Sequence, residues 1–232
     1  MPRDSAPTSI QPQSCDGTAA PSAIPRPAGR HGAAWAIFAL TTLLVLAADL
    51  GFKAWSFAHV AGEPIVLTPL TAEDPHAFWD EHPHPPMVVV PHILSLRLTT
   101  NTGAVFGMFK GGQLFFVAVS ILATAVIVRV FWTSLAGAWT SHLALGLILA
   151  GALGNLYDRV RFNAVRDMLL LFPGVHLPWG LNWPGGNREV YPWIFNLADA
   201  ALLIGVVIMF LVLWRGRKPQ APAAARSAAQ HP

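Results

Sequence analysis

At 232 residues, with 53% of them hydrophobic, only 12% charged and nine tryptophans, the chain departs from soluble domains, in which about 25% of residues carry charge. A net charge of +3, spread over tails and loops without an aromatic-interleaved basic patch, excludes nucleic acid as a partner. The single cysteine, Cys15, excludes an intramolecular disulfide.

Residues 1–31 mix Pro with Ser, Ala, Gly and Gln, a composition that cannot bury a core and is expected to stay disordered. They lack the charged-then-apolar layout of a removable leader. A membrane domain is expected over 32–216, followed by a second disordered tail, basic and Ala-rich, at 217–232. Crossing the hydrocarbon layer takes about 20 apolar residues at 1.5 Å each, and four stretches meet that length.

The first span runs from about Ala33 to Phe57 and carries Asp49 and Lys53 near its far end. Four apart, they share a helix face, either as a self-satisfied ion pair or as a brace for a polar site. Residues 58–110 form a long excursion rich in Pro and His. It ends in alternation, with Leu94, Leu96 and Leu98 set against Ser95, Arg97 and Thr99, which reads as a strand. His59, His76, His82, His84 and His92 lie in this excursion without metal-site spacing, so they read as solvated loop histidines. No metal and no cofactor are expected.

Span two covers Gly111 to Trp132, and span three covers about Trp139 to Tyr157, with His142 placed at the interface. The stretch 158–193, with four prolines and Trp179, Trp183 and Trp193, reads as irregular chain at headgroup level. Its part 173–193 is expected to be a mobile cover, with Gly185 and Gly186 supplying the freedom. Span four runs from about Ile194 to Trp214 and is stopped by Arg215, Arg217 and Lys218.

Four spans put both termini on one side of the membrane and both long connections on the other. Asp49, Asn101, Asn155, Asp158, Asp167, Asn196 and Asp199 then converge at one face. Basic residues near the span ends divide evenly between the sides, so the positive-inside rule does not choose an orientation. The basic cluster after span four favours cytoplasmic termini. Charge at membrane depth is costly and is usually kept for a pathway, a partner or chemistry. Two carboxylates across a wet pocket cannot both ionise cheaply, so one keeps its proton. One member then takes a proton from water while the other polarises a carbonyl. Spacing alone also allows ion pairs of these aspartates with Arg159, Arg161 and Arg166. It allows a proton-coupled carrier or channel subunit with an aspartate relay as well, although no internal repeat is visible.

The motifs NTGAVFG at 101–107, GALGNLYDR at 151–159, Val165-Arg166-Asp167 and FNLADA at 195–200, in this order, resemble lipoprotein signal peptidase, the type II signal peptidase of bacteria. Asp49-Leu50-Gly51-Phe52-Lys53 is similar to that family's first-span motif, with Leu50 where Gln is usual. Arg166 and Met168 flank Asp167 in place of Val and Phe, and Ala200 replaces a common Ser.

The resemblance implies an all-α membrane protein of four transmembrane helices, with a small extracytoplasmic β-strand region and a long periplasmic loop. It implies an aspartic endopeptidase that cuts diacylglyceryl-modified prolipoproteins just before the lipidated cysteine, at the outer face of the bacterial cytoplasmic membrane. By motif match Asp167 and Asp199 are the catalytic pair. Asp158 braces the site, and Asp49, Lys53, Asn101, Asn155, Arg159 and Asn196 support the pocket. Expected partners are lipid-modified prolipoproteins and membrane lipids, and a monomer is expected. Arg166 beside the pair would lower the pKa of Asp167.

Overall fold

The computed structural model describes residues 27–103 and 113–216. The expected tails up to Arg26 and from Arg217 onward, and most of the NTGAVFG motif, lie outside the described residues. Pro27 to His31, assigned to the first tail from composition, instead open the ordered chain. Ala28 to Arg30 form a 3-10 turn whose Ala28 is fully buried and donates its N–H to Ser134 O.

Among the described residues, four helices are long and apolar enough to cross a membrane. These are α1 (Gly32–His59), α3 (Gln113–Thr133), α4 (Trp139–Phe162) and α5 (Leu197–Gly216). A short α2 (Pro75–Glu81) lies in the long connection after α1. Four strands, β1 (Met87–Val90), β2 (Leu94–Asn101), β3 (Val165–Leu171) and β4 (Ile194–Phe195), form one antiparallel sheet in the order β1-β2-β3-β4. The chain is thus mostly helical with a small sheet at one end.

Leu40, Leu43, Leu44, Leu122, Leu203 and Phe210 point outward from the spans, as side chains do when the surrounding solvent is lipid. With lipid outside, burial of apolar surface no longer drives helix association, and close backbone approach takes over. α4 packs chiefly on α5 and α1. At Gly205 of α5, a Cβ would lie 2.8 Å from Ala144 O and 2.7 Å from Ile148. Only glycine permits that contact.

Two apolar clusters fill the interior. Phe38, Ile127, Phe131, Leu145 and Leu149 pack α1, α3 and α4, with Phe38 and Phe131 stacked at 4.2 Å. His142, in the first turn of α4, belongs here and is fully buried within the protein. Its ring lies against Phe131 and its Nε2 is 3.0 Å from Ser134 Oγ. The second cluster, Phe57, Val60, Ile65, Leu67, Leu96, Leu98 and Met168, fastens the sheet to the end of α1.

α4 runs five residues past Tyr157 and ends at Asn163, whose left-handed conformation (φ 58°) lets its N–H bond Arg159 O. Asn tolerates that conformation better than most residues. After Ala164 the chain enters β3, so the stretch expected to be irregular begins as a buried central strand. Beyond β3, residues 173–193 form a hydrogen-bonded excursion. Val190 N–H bonds Val175 O, Leu177 N–H bonds Arg188 O and Trp183 N–H bonds Asn187 O. Trp179 stands 91% exposed in this excursion, with φ 56°.

Candidate active site

The last turn of α4 and the first turn of α5 meet where α1 carries its two charges. On α5, Asn196 is the residue before the helix and Asp199 lies in its first turn. Asn196 Oδ1 accepts from Asp199 N–H at 3.0 Å, and Asp199 Oδ2 accepts from Asn196 N–H at 3.3 Å. This reciprocal cap satisfies two otherwise orphan donors and seats a carboxylate where the helix dipole favours negative charge.

The Asn196 side chain also reaches sideways. Its Nδ2 donates to Asp167 Oδ1 at 2.6 Å and to Asn155 Oδ1 at 3.2 Å. Asn155 Nδ2 in turn donates to Asp199 Oδ1 at 2.7 Å. Two asparagines therefore hold two carboxylates from different elements in one network.

Asp167 is 2% exposed on β3, in a strand and not in flexible chain. Thr99 stands opposite it, and Asn101 pairs with Val165 one step along the same face. Burial, and next the nearby charge of Asp199, push the Asp167 carboxyl up to about 7. Hydrogen bonds from Asn196 and Asn101 and the charge of Lys53 pull the other way. The anticipated lowering by Arg166 does not occur, because adjacent strand residues point to opposite faces. Arg166 instead folds back on Asp158, with Nη2 at 2.8 Å and Nε at 3.1 Å from Oδ1 and its N–H at 3.0 Å from Oδ2. Its guanidinium also lies over the rings of Phe162 and Phe57.

Asp158 is fully buried and forms ion pairs with Arg166 of β3 and Lys53 of α1. Lys53, equally buried, sits 2.9 Å from Asp49 Oδ2, 3.2 Å from Asp158 Oδ2 and 3.2 Å from Asn155 Oδ1. Those three acceptors match the three donors of an ammonium group. Asp49 Oδ1 accepts from Ala198 N–H at 2.8 Å, tying α1 to the start of α5. The first-span pair is thus a brace for the site. Gly154 makes it possible, since a Cβ there would collide with Asp49 Oδ2. Arg159 acts electrostatically on Asp199, Asp167 and Asp158 and lies 5.2 Å from the Phe116 ring centroid.

All nine residues singled out from the sequence are placed at this end of the bundle. Reasoning from sequence offered Arg166 among three candidate partners of the aspartates without assigning it to Asp158, and missed the cap that the Asn196-x-x-Asp199 spacing encodes. No group of three or more His, Cys, Asp or Glu residues suited to a metal occurs among the described residues.

The model of the family described as signal peptidase (SPase) II matches residues 41–215. Lipoprotein signal peptidases from Symbiobacterium thermophilum and Latilactobacillus sakei are similar to the chain. The first is 36% identical over 130 residues, covering 56% of this chain and 76% of the relative. The second is 32% identical over 177 residues, covering 76% and 93%. A solved bacterial membrane enzyme, obtained by the in meso method at 1.9 Å resolution, superposes with a TM-score of 0.54 at 25% identity. That match covers 75% of this chain and 90% of the other. A second such structure, at 2.3 Å, shares the fold with a TM-score of 0.54 at 24% identity, covering 79% and 92%. With four apolar helices, a buried carboxylate site and a family match over three quarters of its length, the chain belongs to the signal peptidase II family of membrane-embedded peptidases.

Proposed function

We propose that Asp167 and Asp199 form the catalytic pair with which this chain, as a member of its family, removes signal peptides from prolipoproteins. The carrying observation is Asn196, which bonds one carboxylate through its side chain and the other through its backbone N–H. Around the pair stand three cations, Lys53, Arg159 and Arg166, and two further carboxylates, Asp49 and Asp158. The site is electrically neutral when the pair holds one proton. Burial favours Asp167 as the holder, and the helix N-terminus favours Asp199 as the anion.

Asp199 takes a proton from a water, and the hydroxide attacks the scissile carbonyl as Asp167 donates its hydrogen bond to the carbonyl oxygen. Collapse of the tetrahedral species passes a proton to the leaving amine. The scissile bond is the one just before the lipidated cysteine of a diacylglyceryl-modified precursor. Purified protein incubated with such a lipidated peptide should yield two products whose masses correspond to that cut. Intact precursor, or a cut elsewhere, rejects the reading.

The pair faces the outer side of the bacterial inner membrane, and both termini are cytoplasmic. The protein acts as a monomer among membrane lipids, and the 173–193 excursion covers the site with its tryptophans at headgroup depth. Asn187 is exposed in that excursion. In intact cells, Asn187→Cys should react with an impermeant thiol reagent, while native Cys15 should not. Labelling of Cys15 alone reverses the orientation.

A further inference from the structure

β2 carries an irregularity next to the site. Leu96 pairs with Leu169 and Thr99 with Asp167, so Arg97 and Leu98 together stand opposite the single residue Met168. Such a bulge leaves a backbone group without a ladder partner and re-aims the neighbouring side chains. On the outer edge, β1 pairs only as far as Met87 with Leu96. Before it come Pro85 and Pro86, which have no N–H to extend the ladder.

The Leu98 N–H is met by a side chain instead: His84 Nε2 accepts it at 3.0 Å. His84 Nδ1 is 3.2 Å from His82 O. A carbonyl only accepts, so Nδ1 carries the proton and Nε2 keeps its lone pair for Leu98. The His84 ring lies 5.4 Å from the Trp79 ring, and Trp79 Nε1 donates to Thr100 Oγ1 at 2.9 Å, one residue beyond Thr99. α2 and the loop after it therefore grip β2 on both sides of the residue facing Asp167.

We propose that His84 is a positioning residue for the peptidase reaction, a neutral imidazole that closes the β2 bulge and so sets the register in which Asp167 meets its partners. This rests on Asp167 being one of the catalytic pair. Titratable or charged groups on the surrounding elements are Asp80 and Glu81 of α2, His82 after it, Arg97 of β2 and Arg166 of β3, whose guanidinium lies over Phe57.

The test compares the full-length parent with His84→Gln and His84→Phe in detergent, on a lipidated precursor peptide. Gln retains an acceptor oxygen, and Phe retains the ring packing but cannot accept. At pH 8 the Phe variant should lose kcat about tenfold with KM within about twofold, since small misplacements of a reacting group are costly. The Gln variant should stay near the parent. A folded Phe variant with parental kcat, or a Gln variant as slow as Phe, overturns the proposal. If the Phe variant does not fold, the Gln variant decides alone: kcat near the parent is the expected result, and a folded Gln variant about tenfold slower overturns the proposal. Asp167→Asn measured alongside separates the two readings. Near-parental turnover there removes the catalytic pair, whereas loss there with no effect at position 84 removes only the latch.

Discussion

Asp167→Asn and Asp199→Asn should each lower turnover of a lipidated precursor by about 10²–10⁴-fold, the range in which positioned proton transfer contributes. The double variant should lose little more than either single one, because groups acting in one step are not additive. Asn keeps the shape, and at position 167 it can still bond Asn196, so loss of the titratable proton is what each change isolates. Intact Asp167→Asn protein that cleaves at near the parental rate sinks the assignment.

The same residue sets a pH dependence with a definite sign. Its carboxyl is raised from 3.8 to about 7, so the folded protein holds this proton more tightly than the unfolded chain. The resulting stabilisation is complete below about 3.8 and is lost as pH rises through about 7. In the proposed mechanism turnover needs the protonated form, so kcat/KM, which reports the free enzyme, should fall above that value as well. Asp167→Asn should remove this component from the pH profile of thermal unfolding in detergent.

Much of this arrangement can be read in the sequence, and the parts that cannot have physical reasons. The spans are legible because an apolar run of that length has few other uses. β3 is not, since VRDMLLL is buried on both faces and shows no alternation. The end of α4 is misread because Asp158, Arg159 and Arg161 look like a stop signal, whereas the helix carries them on and turns Asp158 inward. Asp158 and Arg159 are neighbours in sequence, and side chains one apart on a helix diverge. Pairing Asp158 with Arg166 requires the reversal at Asn163 and Ala164 to be known. The burial of His142 is hidden for a similar reason: its partner, Ser134, belongs to the preceding α3–α4 turn.

Lys53→Met should be the most destabilising single change in the site. Lys53 is fully buried and is the shared cation of Asp49 and Asp158. Removing one partner from a buried ionic cluster typically costs about 3–5 kcal/mol, because the remaining charge is left uncompensated. Asp158 still has Arg166, so the unpaired charge falls on Asp49. Adding Asp49→Asn to Lys53→Met removes that charge while keeping an oxygen for the Ala198 N–H, and should recover most of the lost thermal stability. Turnover should recover less. Lys53 also holds Asn155 Oδ1, and Asn155 is the donor that orients Asp199, so the double variant regains its fold while Asp199 keeps a looser partner. Thermal unfolding in detergent, read together with kcat on a lipidated precursor, separates the two effects. A Lys53→Met protein that melts with the parent removes the ionic brace, and a double variant with parental kcat removes the link from Lys53 through Asn155 to Asp199.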